Sequence, residues 1–261
     1  MGSIADRGCR SCLIPKAEKD DLEYDIIEQG RYHHVDKALR KEASRVRNEG
    51  SEAQYKKFQK RYSLGEPSSV TEMTPALDVI QTRPADPAHS DFAGIGKRCQ
   101  ELLFSLILSA DAQTQYVRCL NVFPFAPGWA RLRNPLTHLQ SWRMSEAGRA
   151  MIITPLLLRC FLKPNHLSSG YHAAVAEVFA NDIVAHNIPT TTDAIVRAFV
   201  RIANVVSLVM RSRVPKSFRR EIEEAVLNGR RAYQKLCDAG SIKLEMQSDD
   251  RADDKRRKTA Q

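Results

Sequence analysis

No uncharged apolar run in this chain of 261 residues reaches about 18 positions, the length at which a helix becomes a candidate membrane span. The nearest approach, 194–210, is interrupted by Arg197 and Arg201, so no membrane partner is expected. The N-terminus, Met1-Gly2-Ser3-Ile4-Ala5-Asp6, lacks the apolar core of a secretory signal. Asp6 also stands where an N-myristoylation pattern requires Ser or Thr. Cysteine is sparse. Six in a chain of this length do not make a disulfide scaffold, and Cys99, Cys119, Cys160 and Cys237 sit singly in apolar or helical surroundings. That usage predicts free thiols in a reducing, intracellular compartment. Also missing are a Ser-His-Asp order, a G-x-S-x-G elbow, a P-loop and a G-x-G-x-x-G turn; Gly94-x-Gly96 is too short to count. Neither an internal repeat nor a convincing β-alternation is present.

What is present is ordinary in bulk and unusual in charge. Apolar residues make up 43% and charged residues 27%, enough for a sizeable core in one large domain or two small ones. The net charge of +9 favours an acidic partner, nucleic acid first and an anionic membrane surface second. The excess is localised. Residues 31–61 hold ten Lys or Arg against four Asp or Glu, a local net of +6. Arg40, Lys41, Arg45, Arg47, Lys56, Lys57, Lys60 and Arg61 are the candidate nucleic-acid contacts. A second run, Lys255-Arg256-Arg257-Lys258, has the composition of a nuclear-import patch, which favours the nucleus over the cytoplasm. A solvated helix face and a disordered tail account for the same two runs, and both readings stand.

The expected fold class is mainly α: an irregular N-terminal Cys/His segment, then a multi-helix domain, then a disordered tail. Residues 1–62 comprise the Cys/His segment and one or two charged helices broken near Gly50. Residues 63–90 hold Pro67, Pro75, Pro84 and Pro87 and form a connector. Residues 91–240 form the helical domain, and 241–261 the charged tail. Within the domain, helices are predicted over about 96–110 and 111–120, from Ser145 through a kink at Pro155, and over about 171–185. A further helix follows the Thr190 to Asp193 cap, and a last one covers about 216–239, stopped by Gly240. In the helix after Thr190, Arg197, Arg201, Asn204 and Arg211 fall on one stripe of an otherwise apolar pattern, a core helix with one wet edge.

Three constellations could carry chemistry. Cys9-x2-Cys12 with His33-His34 offers two thiolates and two imidazoles for a structural Zn²⁺. The alternative is a pair of free thiols and a surface His pair. Asp86, His89 and Asp91 sit beside prolines just before a buried helix; they suit a divalent metal, and equally a turn and helix cap. The segment from Trp129 to Trp142 interleaves Arg131, Arg133, His138, Gln140 and Arg143. It can bind nucleic acid by stacking and phosphate contact, or anchor the fold with its Trp residues and leave Arg at the rim. Before it lies an apolar loop, Phe123-Pro124-Phe125-Ala126-Pro127-Gly128-Trp129, which must pack on something, the chain itself or a protein partner.

The order of these motifs resembles a family. Cys9-Arg10-Ser11-Cys12, Leu22-Glu23-Tyr24-Asp25, Gly30-Arg31-Tyr32-His33-His34, Pro75-Ala76-Leu77-Asp78, Asp86-Pro87-Ala88-His89-Ser90 and Val122 to Trp129 together resemble fungal transposon-encoded proteins. Those are distantly similar to the transposases of CACTA-type cut-and-paste elements. The resemblance implies an RNase H-like core in which three acidic residues bind two divalent metals. It places Asp86 in one of those roles, with His89 beside it, and puts the Cys and His pairs in a zinc-binding or turn element. The sequence departs from that pattern. The first catalytic Asp would lie before the Cys pair, no third acid is matched (Glu146 and Glu177 qualify by type alone), and the alternating strands of the sheet are missing. Two-metal chemistry cannot run on one carboxylate. The expectation is a catalytically incomplete, transposase-derived chain, vestigial at Asp86 and His89, that binds DNA or RNA non-specifically. The alternative is a helical protein-interaction module.

Overall fold

A computed structural model describes residues 12–18, 21–24, 28–66, 88–211, 213 and 215–259, with the side chains of all but 88 and 246–259. The chain is mainly α. Among the described residues the only β features are two isolated bridges, Cys12 with Gly30 and Leu108 with Leu167. It divides into two compact units, Met1–Ala85 and Asp86–Gln261, and the division falls inside the Pro-rich connector.

The first unit is a helical hairpin. Helix α1, His33–Glu49, and helix α2, Glu52–Tyr62, meet at Gly50, as the sequence predicts. Glycine is required there because a Cβ would lie 2.7 Å from the Val46 carbonyl oxygen. Ser51 and Gln54 then form a capping box: the Ser51 hydroxyl accepts from the Gln54 amide at 3.3 Å, and Gln54 Oε1 accepts from the Ser51 amide at 2.8 Å. This satisfies two of the amides that a helix start leaves unpaired. Ala43, Tyr55 and Leu64 form a small core, backed by Leu39, Val46, Phe58 and Tyr62.

The second unit begins with α3, made of Ala88–Gly96, Lys97–Leu102 and Leu103–Ile107 in unbroken succession. Its first and last segments are wide, π-type turns. Then come α4 (Ala110–Val122), α5 (Met144–Phe161), α6 (Tyr171–Val178), α7 (Ala180–Ala185), α8 (Thr191–Val209) and α9 (Arg219–Thr259). Helix α8 is central. It packs on α5 on one side and α9 on the other, and buries Ile195, Phe199, Ile202 and Val206. Each such side chain contributes roughly 1.5–3 kcal/mol of burial. On its polar stripe Arg197 and Asn204 are exposed and Arg201 is half-buried, while Arg211, expected on the same stripe, lies beyond the end of the helix.

Two helix ends differ from the sequence reading. The single helix expected over 171–185 is broken at Phe179, whose backbone leaves the helical region so that its ring can be buried. Gly240 does not stop the last helix, and 241–259, read from composition as tail, continues it. The reason is packing: a Cβ on Gly240 would lie 3.0 Å from Leu106 and 3.3 Å from Leu102. Gly229 serves the same purpose against Val205, where any Cβ would collide. These glycines let α9 approach closely and do not act as caps.

Burial pushes up the ionisation of three groups in this core: the Tyr116 and Tyr171 hydroxyls and the Cys99 thiol. Their ordinary values are 10.0 for the phenols and 9.0 for the thiol. A group raised in the folded state stabilises fully below its unfolded value and loses that contribution as pH rises beyond it. Lys243, lowered by burial, works the other way, but it is one group against these three and against Tyr233 and Cys119, which burial also raises. We expect the denaturant midpoint of the second unit to fall between about pH 8.5 and pH 10.5. A flat midpoint over that window would contradict the buried placement of these groups.

Candidate nucleic-acid interface

The hairpin is built around a buried carboxylate. Asp36, in the first turn of α1, accepts from Arg31 Nε at 3.1 Å and Arg31 Nη2 at 2.9 Å on one oxygen. Its second oxygen accepts from Arg40 Nε at 2.7 Å. Arg31 also donates to the Tyr62 carbonyl at 2.9 Å, which ties the N-terminus of α1 to the end of α2. Arg40, one of the predicted contacts, is therefore half-buried and committed to the fold.

The remaining predicted cations lie on the exposed faces. Arg45 donates to Glu42 and, at 2.8 Å, to Glu49. The Glu42 carboxyl is held below its usual range by this guanidinium, and Arg45 is pushed further up, first by Glu42 and then by Glu49. Arg45 and Glu42 are both substantially exposed, and such pairs yield readily to a competing phosphate. Arg47 stands over the Tyr55 ring and 3.9 Å from Glu66; Lys56 is 3.5 Å from Glu52. Lys41, Lys57 and Lys60 are exposed and form no ion pair among the described residues. The two helices bring Arg45, Lys57 and Arg61 to one groove of about 440 Å³, with Phe58 at its floor and Glu49 as its one acid.

The Cys/His constellation is only partly in view. The bridge from Cys12 to Gly30 pairs Cys12 with a residue three positions before His33. Cys12 is buried, His33 and His34 are exposed at the start of α1, and their rings meet edge to face at 5.6 Å. Among the described residues no three His, Cys, Asp or Glu come together as metal ligands. Cys9 lies outside the described residues. So do Asp86 and the side chains of Lys255, Arg256, Arg257 and Lys258.

Of the second constellation, His89 is exposed on the first turns of α3, while Asp91 is buried. Asp91 accepts from Arg230 Nη2 at 2.6 Å and from the Ser90 hydroxyl at 2.7 Å. This ion pair spans 139 positions and anchors α9 to α3.

In the third, the Trp129 to Trp142 segment is fastened from within. Trp142 is buried and Trp129 half-buried under the Arg149 guanidinium. Arg133 grips Glu146 with two bonds, at 3.0 and 2.7 Å, and donates to the Ser141 carbonyl at 2.6 Å. Arg133, the largest influence, holds the Glu146 carboxyl below its usual range. Glu146 therefore braces the start of α5. Phe123 and Phe125 pack against the unit's own core.

No helix among the described residues is long and apolar enough to cross a membrane. Compared with protein-family models, with curated proteins and with solved structures, the chain matches none.

Proposed function

We propose that the α1–α2 hairpin binds nucleic acid through its phosphate backbone, in a transposase-derived chain without a complete catalytic set. One observation carries this reading: Arg45 and the pair Lys57 and Arg61, from different helices, converge on one groove containing a single carboxylate. Backbone contacts of this kind give affinity without base readout. Lys41 and Lys60, exposed on the same helices, extend the basic surface. The motif order that resembles transposon-encoded proteins supports the same ligand. The commitment of Asp91 to Arg230 supports the non-catalytic half of the reading, because a carboxylate already paired with a guanidinium is a poor metal ligand.

The test is anisotropy titration of the full chain against a labelled duplex and a labelled single strand over a range of salt. Binding should weaken linearly on a log–log plot as salt rises. The double variant Lys57→Gln/Arg61→Gln should bind more weakly and flatten that slope by roughly 2, since each lost phosphate contact removes about 0.9. Absence of binding to either strand type at low salt would end the proposal.

A further inference from the structure

The second unit carries a polar pocket unrelated to the hairpin. It lies between α4 and the end of α5 and measures about 530 Å³. Asp111, Thr114 and Arg118 line it from one face of α4; Cys160, Lys163 and His166 close it from the other side. The volume falls in the range of small-molecule sites.

Its chemistry is specific in three respects. First, Cys160 is the one exposed cysteine among the described residues; Cys12 and Cys99 are buried, and Cys119 and Cys237 half-buried. Second, Arg118 and Lys163 form no ion pair among the described residues, and neither does Asp111. The pocket thus offers two uncommitted cations and one uncommitted carboxylate. Third, the His166 ring is fixed. Its Nδ1 lies 2.8 Å from the Phe161 carbonyl, which can only accept, so Nδ1 carries the proton. The 3.3 Å approach of the Lys163 amide to the same nitrogen is then a contact and not a hydrogen bond.

A metal does not fit, since no three ligating side chains come together here. A simple anion fits poorly, because Asp111 opposes it. A zwitterion with two carboxylates, one ammonium and a sulfur matches the two cations, the carboxylate and the thiol. We propose that this pocket docks glutathione disulfide and that Cys160 is converted there to a mixed disulfide. Arg118 and Lys163 receive the two carboxylates of one glutathionyl half, and Asp111 receives its ammonium. Cys160 loses its proton to solvent, and the thiolate Sγ attacks one sulfur of the disulfide. The S–S bond breaks as the new one forms, and glutathione thiolate leaves and is protonated by solvent. Cys160 is oxidised and the departing sulfur reduced, so the disulfide itself is the oxidant. The Cys119 thiol is pushed up, by burial first and then by charge on Cys160, which holds it back from the same attack.

The experiment uses the full chain, mildly alkaline buffer and two disulfides: glutathione disulfide and uncharged hydroxyethyl disulfide. Peptide mass mapping follows modification at each cysteine. Cys160 should react faster with glutathione disulfide, and Cys160→Ser should abolish that fast phase. Arg118→Gln/Lys163→Gln should slow the glutathione reaction by about tenfold more than it slows the hydroxyethyl reaction, the combined effect of two exposed charge contacts. Both positions are on the surface, so the variant keeps the fold. Equal rates for the two disulfides, or indifference to the charge variant, would overturn the docking site. Failure of Cys160 to react at all would overturn it outright.

Discussion

Asp36→Ala should unravel the α1–α2 hairpin while the second unit stays folded. The substitution leaves Arg31, only 4% exposed, with a buried positive charge and no counterion. Breaking one side of a buried pair costs about 3–5 kcal/mol. The hairpin has little to set against that loss, since its fully buried apolar core comprises Ala43, Tyr55 and Leu64. Small units of this kind are marginal to begin with. Asp36 also sits in the first turn of α1, where a carboxylate interacts favourably with the helix N-terminus. Hydrogen exchange on the full chain would show protection lost over 33–62 and retained in α5 and α8. Removing both partners with Arg31→Met/Asp36→Leu should restore most of it, because an apolar pair of similar volume replaces a buried ion pair at little cost. A protected hairpin in the Ala variant would mean that Arg31 finds water, and that the pair is not the keystone described above.

Thr154→Val should destabilise the second unit by about 2–6 kcal/mol, although the two side chains have nearly the same shape. The Thr154 hydroxyl donates to the Ala150 carbonyl at 2.7 Å. It must therefore accept from its other two neighbours, Gln100 Nε2 at 2.8 Å and the Tyr116 hydroxyl at 2.9 Å. All three side chains are fully buried. Valine would strand two donors, each at a cost of about 1–3 kcal/mol. Gln100 Oε1 already has no partner, so the network is incompletely satisfied before the substitution is made. Urea midpoints of Thr154→Val, Thr154→Ser and Tyr116→Phe separate the effects. Serine keeps the acceptor and should lose far less than valine. In the Tyr116→Phe background, valine should cost less than it does alone, because one stranded donor is already gone. Strict additivity would show that the hydroxyl is not the shared acceptor.

These two positions show where sequence reasoning stops. Helix positions were readable because their signals are local: the apolar spacing from Leu102 to Leu108, the Thr190 cap whose hydroxyl accepts from the Asp193 amide at 3.1 Å, and the break at Gly50. The basic surface was readable because charge density needs no geometry. Thr154 was not, since a threonine beside a proline in an apolar helix looks like filler until Gln100 and Tyr116 arrive from two other helices. Asp36 counted as one acid among ten cations; its partners Arg31 and Arg40 lie within five positions, but the Tyr62 carbonyl that fixes Arg31 arrives only through the chain reversal at Gly50. Gly240 misled for a physical reason. A helix-stop glycine and a close-packing glycine look alike along the chain, and only the Leu102 and Leu106 side chains facing it distinguish them. Asp91 was read as a metal candidate because its partner, Arg230, lies 139 positions away. The Cys160 pocket gave no linear signal, since Arg118 lies on α4 and Lys163 in the segment that follows α5.

The ties between α3 and α9 also bear on how the chain is made. Asp91 is paired by Arg230, and the Leu106 carbonyl receives the Lys243 ammonium at 2.9 Å. Until a ribosome has delivered α9, a nascent chain holds α8 with its α9-facing side bare, carrying Val205 into water, and Asp91 without its guanidinium. Synthesis proceeds at roughly 5–20 residues per second, so that exposed interval lasts for seconds, long enough for misassembly or capture by chaperones. The helix that finishes the core is translated after every element it packs on, and a transcript cut short within it would yield a product that cannot close.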